Sequence, residues 1–114
     1  MKLLKDLLNI VCDLKAIDIV CFDFDKISPF YQYNIVCTAT NERQLNAISE
    51  HLADYLRLNK LAYSVEGKNG RDWILVDAKD VLINIFSKDA RIDYNLEKLY
   101  SYVPRIAVEK YLNV

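Results

Sequence analysis

Apolar positions along this chain recur at two periods, and the switching between them predicts a mixed succession of helices and strands. In "KLLKDLLNIVCDLK" (2–15), Leu4, Leu7, Leu8, Val11 and Leu14 share one face at three- and four-residue spacing, while Lys5, Asp6 and Asp13 fall elsewhere. That pattern is an amphipathic helix. "DIVCFDF" (18–24) and "YNIVCTAT" (33–40) are short, rich in β-branched and aromatic residues and apolar on both alternating faces, as expected of strands well inside a sheet. "DKISPFYQ" between them, with Pro29, reads as a loop. "TNERQLNAISEHLADYLRLNK" (40–60) returns to the helical period through Leu45, Ile48, Leu52, Tyr55 and Leu56. Asn41 is placed to cap this helix, Gln44 to answer it three residues on, and Asn59 to take the left-handed closing position.

"LAYSVEGKNGRD" (61–72) reads as a strand and a loop that holds both glycines. "WILVD" and "DVLINIF" flank Ala78 and Lys79 and read as a hairpin, although neither loop residue takes positive φ readily. A last helix is expected from about Asp89 to Tyr102, stopped by Pro104, with one further turn in "RIAVEKYLNV". The order α-β-β-α-β-β-β-α places an antiparallel hairpin after a crossover helix. It predicts an α/β fold with a mixed sheet of about five strands flanked by helices.

The hairpin poses the main question. In a strand, Trp73, Leu75 and Asp77 share one face and Ile74 and Val76 the other, so neither face is polar enough to be simply solvated. Either both faces are buried within the domain, or one is a surface for a partner. A large aromatic in line with a carboxylate has the composition of an interaction hot spot with a charged edge.

Composition narrows the classes. At 114 residues, 53% hydrophobic and 27% charged, with two glycines and two prolines, residues 1–114 are expected to form a single domain around one core. Fifteen basic and sixteen acidic residues leave a formal charge of −1, which supplies no general attraction for nucleic acid. A protein or small-molecule partner is therefore expected ahead of RNA or DNA. Charges interrupt every apolar stretch before about 18 residues, so no membrane span is expected. Asp6 stands where a signal peptide would keep its apolar core, so a cytoplasmic location is expected. Cys12, Cys21 and Cys37 are odd in number, lack C-x-x-C spacing and sit in apolar segments, the usage of reduced core cysteines.

Candidate chemistry is sparse. "FDFD" puts Asp23 and Asp25 on one side of a strand end, where a metal-dependent nucleotidyltransferase-type enzyme would hold a divalent cation. Such an enzyme also wants a glycine-rich phosphate loop, and the only glycines lie elsewhere, in "EGKNG", which a plain turn explains as well. The single histidine, His51, has no second ligand at metal spacing. None of the serines sits in a G-x-S-x-G elbow.

The run "EG...DWILVDAKDVLINIF...ARIDYNLEKLY" resembles the ribosomal silencing factor family, also called Iojap. That family carries an EG, a W-x-x-x-D, a G-D pair, an apolar strand with a histidine, and R-x-x-Y-x-L-E-x-L-W. The likeness extends back through "LKAIDIVCFD" to the family's K-A-x-D-I strand opening, and through "TATNERQ" to its T-G-x-S-x-R-Q helix start, so it covers nearly the whole chain. The positions that match are Lys15, Ala16 and Asp18, then Arg43 and Gln44, Glu66 and Gly67, Trp73, Asp77 and Asp80, and finally Arg91, Tyr94, Leu96, Glu97 and Leu99. Ala39 and Lys79 stand where the family has glycine, Asn84 where it usually has histidine, and Tyr100 where it has tryptophan. Asparagine keeps hydrogen bonding but gives up proton transfer near neutral pH.

The resemblance implies a nucleotidyltransferase-like fold without a catalytic set, metal or cofactor. It also implies a translational repressor that docks on protein fourteen of the large ribosomal subunit and keeps the small subunit from joining. Trp73 and Leu75 are then the expected anchor, Asp77, Asp80 and Glu97 the acidic contacts, and Tyr94 and Tyr100 aromatic contacts or seats for the last helix. The bound protein is expected to be a monomer, with a homodimer through the apolar hairpin possible when free.

Overall fold

The structure, a computed structural model, describes residues 1–68 and 70–113. The elements run α1 (Lys2–Asp13), β1 (Ile17–Asp23), β2 (Tyr33–Thr38), α2 (Glu42–Leu58), β3 (Ser64–Glu66), β4 (Trp73–Asp77), β5 (Val81–Phe86), α3 (Lys88–Tyr94), α4 (Leu96–Leu99) and β6 (Arg105–Ile106), followed by a 3-10 turn at Val108–Lys110. The strands form one six-stranded sheet ordered β3-β4-β5-β2-β1-β6. Only β2 and β5 pair in parallel, because α2 carries the chain across between them; the other neighbours are antiparallel. The mixed α/β fold matches the expectation, with β6 as an added edge strand where the sequence pattern showed only a turn. A two-residue strand is too short to show a period.

The two faces of the sheet are treated differently. One packs against α1 and α2: Leu4, Leu7, Leu8 and Val11 meet Leu45, Ile48, Leu52 and Leu56 over Ile35, Cys37, Ile74, Val76, Ile83 and Ile85. Across that helix pair the Tyr55 hydroxyl donates to Asp6 Oδ2 at 2.5 Å, and Lys2 pairs with the same carboxylate at 2.8 Å. The other face carries a smaller cluster of Phe22, Phe24, Val36, Phe86, Ala90 and Val103, roofed by α3 and α4. Those two short elements cover β1, β2 and the end of β5, and leave β3 and β4 open.

Local signals decide the ends. Asn41 Oδ1 accepts from the Gln44 backbone at 2.7 Å, as expected of a cap, but Gln44 Oε1 reaches back to the Thr40 N–H at 2.6 Å, one residue beyond a regular capping box. The left-handed residue that closes α2 is Lys60 (φ 56°) rather than Asn59 (φ −92°). Lys60 and Leu61 donate to the carbonyls of Arg57 and Leu56, which is a Schellman closure. The last helix is not continuous from Asp89 to Tyr102. Asn95, at φ 42°, ends α3 and caps α4 through its side chain. Asparagine tolerates this conformation and bonds its own backbone two or three residues on, so a helical period read through it hides the break.

The hairpin turn also differs from the expectation. Its corner residues are Lys79 and Asp80, with Ala78 N–H bonded to Val81 O at 3.0 Å, and Asp80 N–H donates to Ala78 O at 2.9 Å across Lys79. Lys79 itself adopts φ 70°. A lysine held in this γ-turn geometry is strained. Lys79→Gly is expected to raise the free energy of unfolding by about 1 kcal/mol in denaturant titrations; an unchanged or lowered midpoint would show that the turn is not under strain.

Candidate functional site

The open part of the sheet is built from alternate residues of three strands. Trp73, Leu75 and Asp77 point outward from β4, whereas Ile74 and Val76 are fully buried. Cross-strand register places Ser64 and Glu66 opposite Asp77 and Leu75, and Leu82 and Asn84 opposite them on the other side. Alternation alone does not assign the hairpin faces; the structure buries one and leaves the other outside the core.

A polar ladder fixes the tryptophan on this face. Trp73 Nε1 donates to Asn84 Oδ1 at 2.9 Å, and Asn84 Nδ2 donates to Asn34 Oδ1 at 2.8 Å. Both asparagines are buried, and each bonded amide orients the next. The odd asparagine in an apolar strand is thus a holder for the indole. The Trp73 ring lies 5.2 Å from Phe86 and 4.7 Å from Tyr94, centroid to centroid. Even so, Trp73 remains 37% and Tyr94 53% exposed.

Carboxylates flank this aromatic pair. A depression of about 230 Å³ is lined by Glu66, Gly67, Trp73 and Leu75. Gly67 has φ 79°, and a Cβ there would run into the Trp73 carbonyl oxygen, so only glycine lets the loop pass this close. On the far side of Tyr94, a second depression of about 370 Å³ is lined by Asp72, Asp89, Ala90, Asp93 and Tyr94. Glu66, Asp89 and Asp93 are exposed and are in no ion pair among the described residues. The face therefore combines exposed apolar area with an anionic rim of its own.

Three other predicted site residues lie elsewhere. Asp80 sits at the hairpin turn, exposed, at the opposite end of β4 from Trp73. Tyr100 is half-buried beneath α4, its ring 5.4 Å from Phe22 and 5.0 Å from Phe24, so it seats the last helix. Glu97 accepts from Arg91 Nε at 2.9 Å. Burial pushes the Glu97 carboxyl up, and the Arg91 guanidinium outweighs it, holding the group below its ordinary value.

Sequence reasoning missed the role of Arg91. It is 9% exposed and also donates to Thr38 Oγ1 at 2.8 Å and to the Asp18 carbonyl at 2.7 Å. Asp18 lies in an irregularity of β1 between Ile17 and Val20, at φ 51°. One guanidinium thus joins α3, α4 and two strands. The Arg91–Glu97 spacing of six fits no helical period, and only the break at Asn95 makes it close.

Asp23 ends β1 and Asp25 lies in the turn beyond it; Asp23 Oδ1 accepts the Asp25 backbone N–H at 3.0 Å, which closes that turn. Among the described residues no group of three or more His, Cys, Asp or Glu side chains could hold a metal ion. His51 is exposed on α2. Cys21 and Cys37 are buried and free, and burial pushes both thiols up to about 12; Cys12 is free and half-buried. "EGKNG" includes Asn69, so that phosphate-loop candidate falls partly outside the described residues. No described helix is long and apolar enough to cross a membrane.

Fold and site together define a small α/β protein with a mixed six-stranded sheet and an aromatic face rimmed by carboxylates. Residues 1–113 match the family model described as ribosomal silencing factor during starvation. The ribosomal silencing factor RsfS of Haemophilus influenzae is 36% identical over 102 residues, spanning 89% of this chain and 100% of that protein. The one from Bacillus subtilis is 36% identical over 93 residues, spanning 81% and 79%. A crystal structure of a Bacillus halodurans protein superposes with a TM-score of 0.81 at 32% identity, covering 92% of this chain and 96% of that one. The chain belongs to the ribosomal silencing factor family, which is named for a regulatory role in translation.

Two measurements check the site's internal supports. Asn84→Ala leaves the indole N–H and the Asn34 amide without their partner and is expected to cost about 1–3 kcal/mol, with a red shift in emission from the single tryptophan. Unchanged emission would mean that the ladder does not hold the ring. The lowered Glu97 value stabilises the folded state above the ordinary carboxylate range, and this contribution is lost as pH falls through the folded value. Glu97→Gln should therefore flatten the acid side of the melting-temperature profile.

Proposed function

We propose that this protein is a translational repressor that docks as a single copy on the large ribosomal subunit, through that subunit's protein fourteen, and blocks the small subunit by its bulk. The observation that carries the reading is the uncovered sheet face. A folded domain rarely leaves a tryptophan and a tyrosine this exposed beside one another unless a partner covers them. Trp73, Leu75 and Tyr94 supply the apolar centre, and Asp77 and Asp80 supply anionic contacts. Glu97 and Tyr100 act one step back, by holding α3 and α4 so that Tyr94 lies against the indole.

Ribosomal proteins are basic, so an anionic rim steers this nearly neutral chain to one of them without general capture by RNA. Occupancy alone prevents subunit joining, so no reaction centre, metal, cofactor or DNA contact is required. Such a role places the protein in the cytoplasm with the ribosomes.

Trp73→Ala is expected to weaken binding to purified large subunits by about 2 kcal/mol or more, roughly 30-fold in affinity, as read by co-sedimentation with folding checked by circular dichroism. Wild-type affinity in a folded variant would remove Trp73 from the contact.

A further inference from the structure

We infer that Phe30 and the pocket beneath it form a second anchor for the same partner, taking an apolar recess on Phe30 and a cationic side chain between Asp25 and Asp80; this rests on the docking reading above. The loop joining β1 to β2 contains three aromatic residues that behave differently. Phe24 is buried and Tyr31 packs on it at 5.1 Å, but Phe30 is 83% exposed.

The exposure does not come from a loose loop. Ile27 and Ser28 both donate to Phe24 O at 2.9 Å, Phe24 donates to Gln32 O at 2.8 Å, Gln32 donates to Asp80 O at 2.7 Å, and the Phe30 N–H bonds Ser28 Oγ at 3.1 Å. The ring is therefore presented from a braced backbone. A preorganised apolar tip costs little further entropy when it docks.

Charge selects the occupant. A depression of about 300 Å³ next to the ring is lined by Asp25, Ser28, Phe30, Gln32 and Asp80. Both aspartates are exposed and are in no ion pair among the described residues. Two carboxylates repel phosphate and attract lysine or arginine, so a basic protein surface fits and a nucleic-acid backbone does not. Asp80 sits in the turn between β4 and β5, so this anchor lies at the Asp77 end of the outward row of Trp73, Leu75 and Asp77.

The test compares wild type, Phe30→Ala, Phe30→Leu and Asp25→Asn for binding to purified large ribosomal subunits across a salt series. Phe30 is 83% exposed and contributes little to the fold, so Phe30→Ala should keep a near-wild-type melting curve and lose at least tenfold in affinity, with Phe30→Leu retaining most of it. Asp25→Asn should weaken binding and reduce its salt dependence. Wild-type affinity in Phe30→Ala, with Trp73→Ala still impaired, overturns the second anchor and leaves the docking reading standing. Failure of the wild-type protein to bind large subunits at all overturns both. Equal binding of wild type to protein-free ribosomal RNA also overturns the assignment to a protein partner.

Discussion

The Arg91 guanidinium is the constraint on which the proposed docking face depends. Two short elements, α3 and α4, have too little apolar surface to fix their own position on the sheet, and a left-handed asparagine separates them. Arg91 supplies the missing bonds, reaching Thr38 on β2, the irregular stretch of β1 at Asp18, and Glu97 on α4. A buried charge is costly unless every donor is used, and here its hydrogen bonds join four elements. Because α3 is held over β1, β2 and the end of β5, Tyr94 arrives against Trp73 and the outward row of β4 stays uncovered.

The Trp73–Asn84–Asn34 ladder works on the same face at smaller scale. An indole on an open sheet would ordinarily sample several rotamers; bonded at Nε1 and wedged between Phe86 and Tyr94, it is held in one. Rigid aromatic area surrounded by unpaired carboxylates binds with little ordering cost and with a preference for basic surfaces. Of the residues weighed for chemistry, Cys21 and Cys37 are buried, His51 is exposed on α2, and Asp23 Oδ1 accepts a hydrogen bond that closes a turn.

Much of this was legible in the sequence. Helical spacing marks the buried faces of α1 and α2, and the alternation in "WILVD" puts Trp73, Leu75 and Asp77 on one side of a strand. Resemblance identified the family from motifs spread over nearly the whole chain. What periodicity could not reach were features made by single residues in unusual backbone: the break at Asn95, the left-handed Lys60 and Lys79, and the bonding of Arg91 across the sheet. Each depends on contacts between residues far apart in sequence, or on a conformation that the residue type alone disfavours. The β1–β2 loop reads as connection only, because nothing in "DKISPFYQ" distinguishes Tyr31, which packs on Phe24, from Phe30, which is presented.

Light scattering of purified small and large subunits, mixed with increasing amounts of this protein, tests most directly whether the folded chain acts by obstruction. The expected result is a saturable fall in joined particles that tracks occupancy of the large subunit and needs neither nucleotide nor metal. Undiminished joining with the large subunit fully occupied would contradict that account.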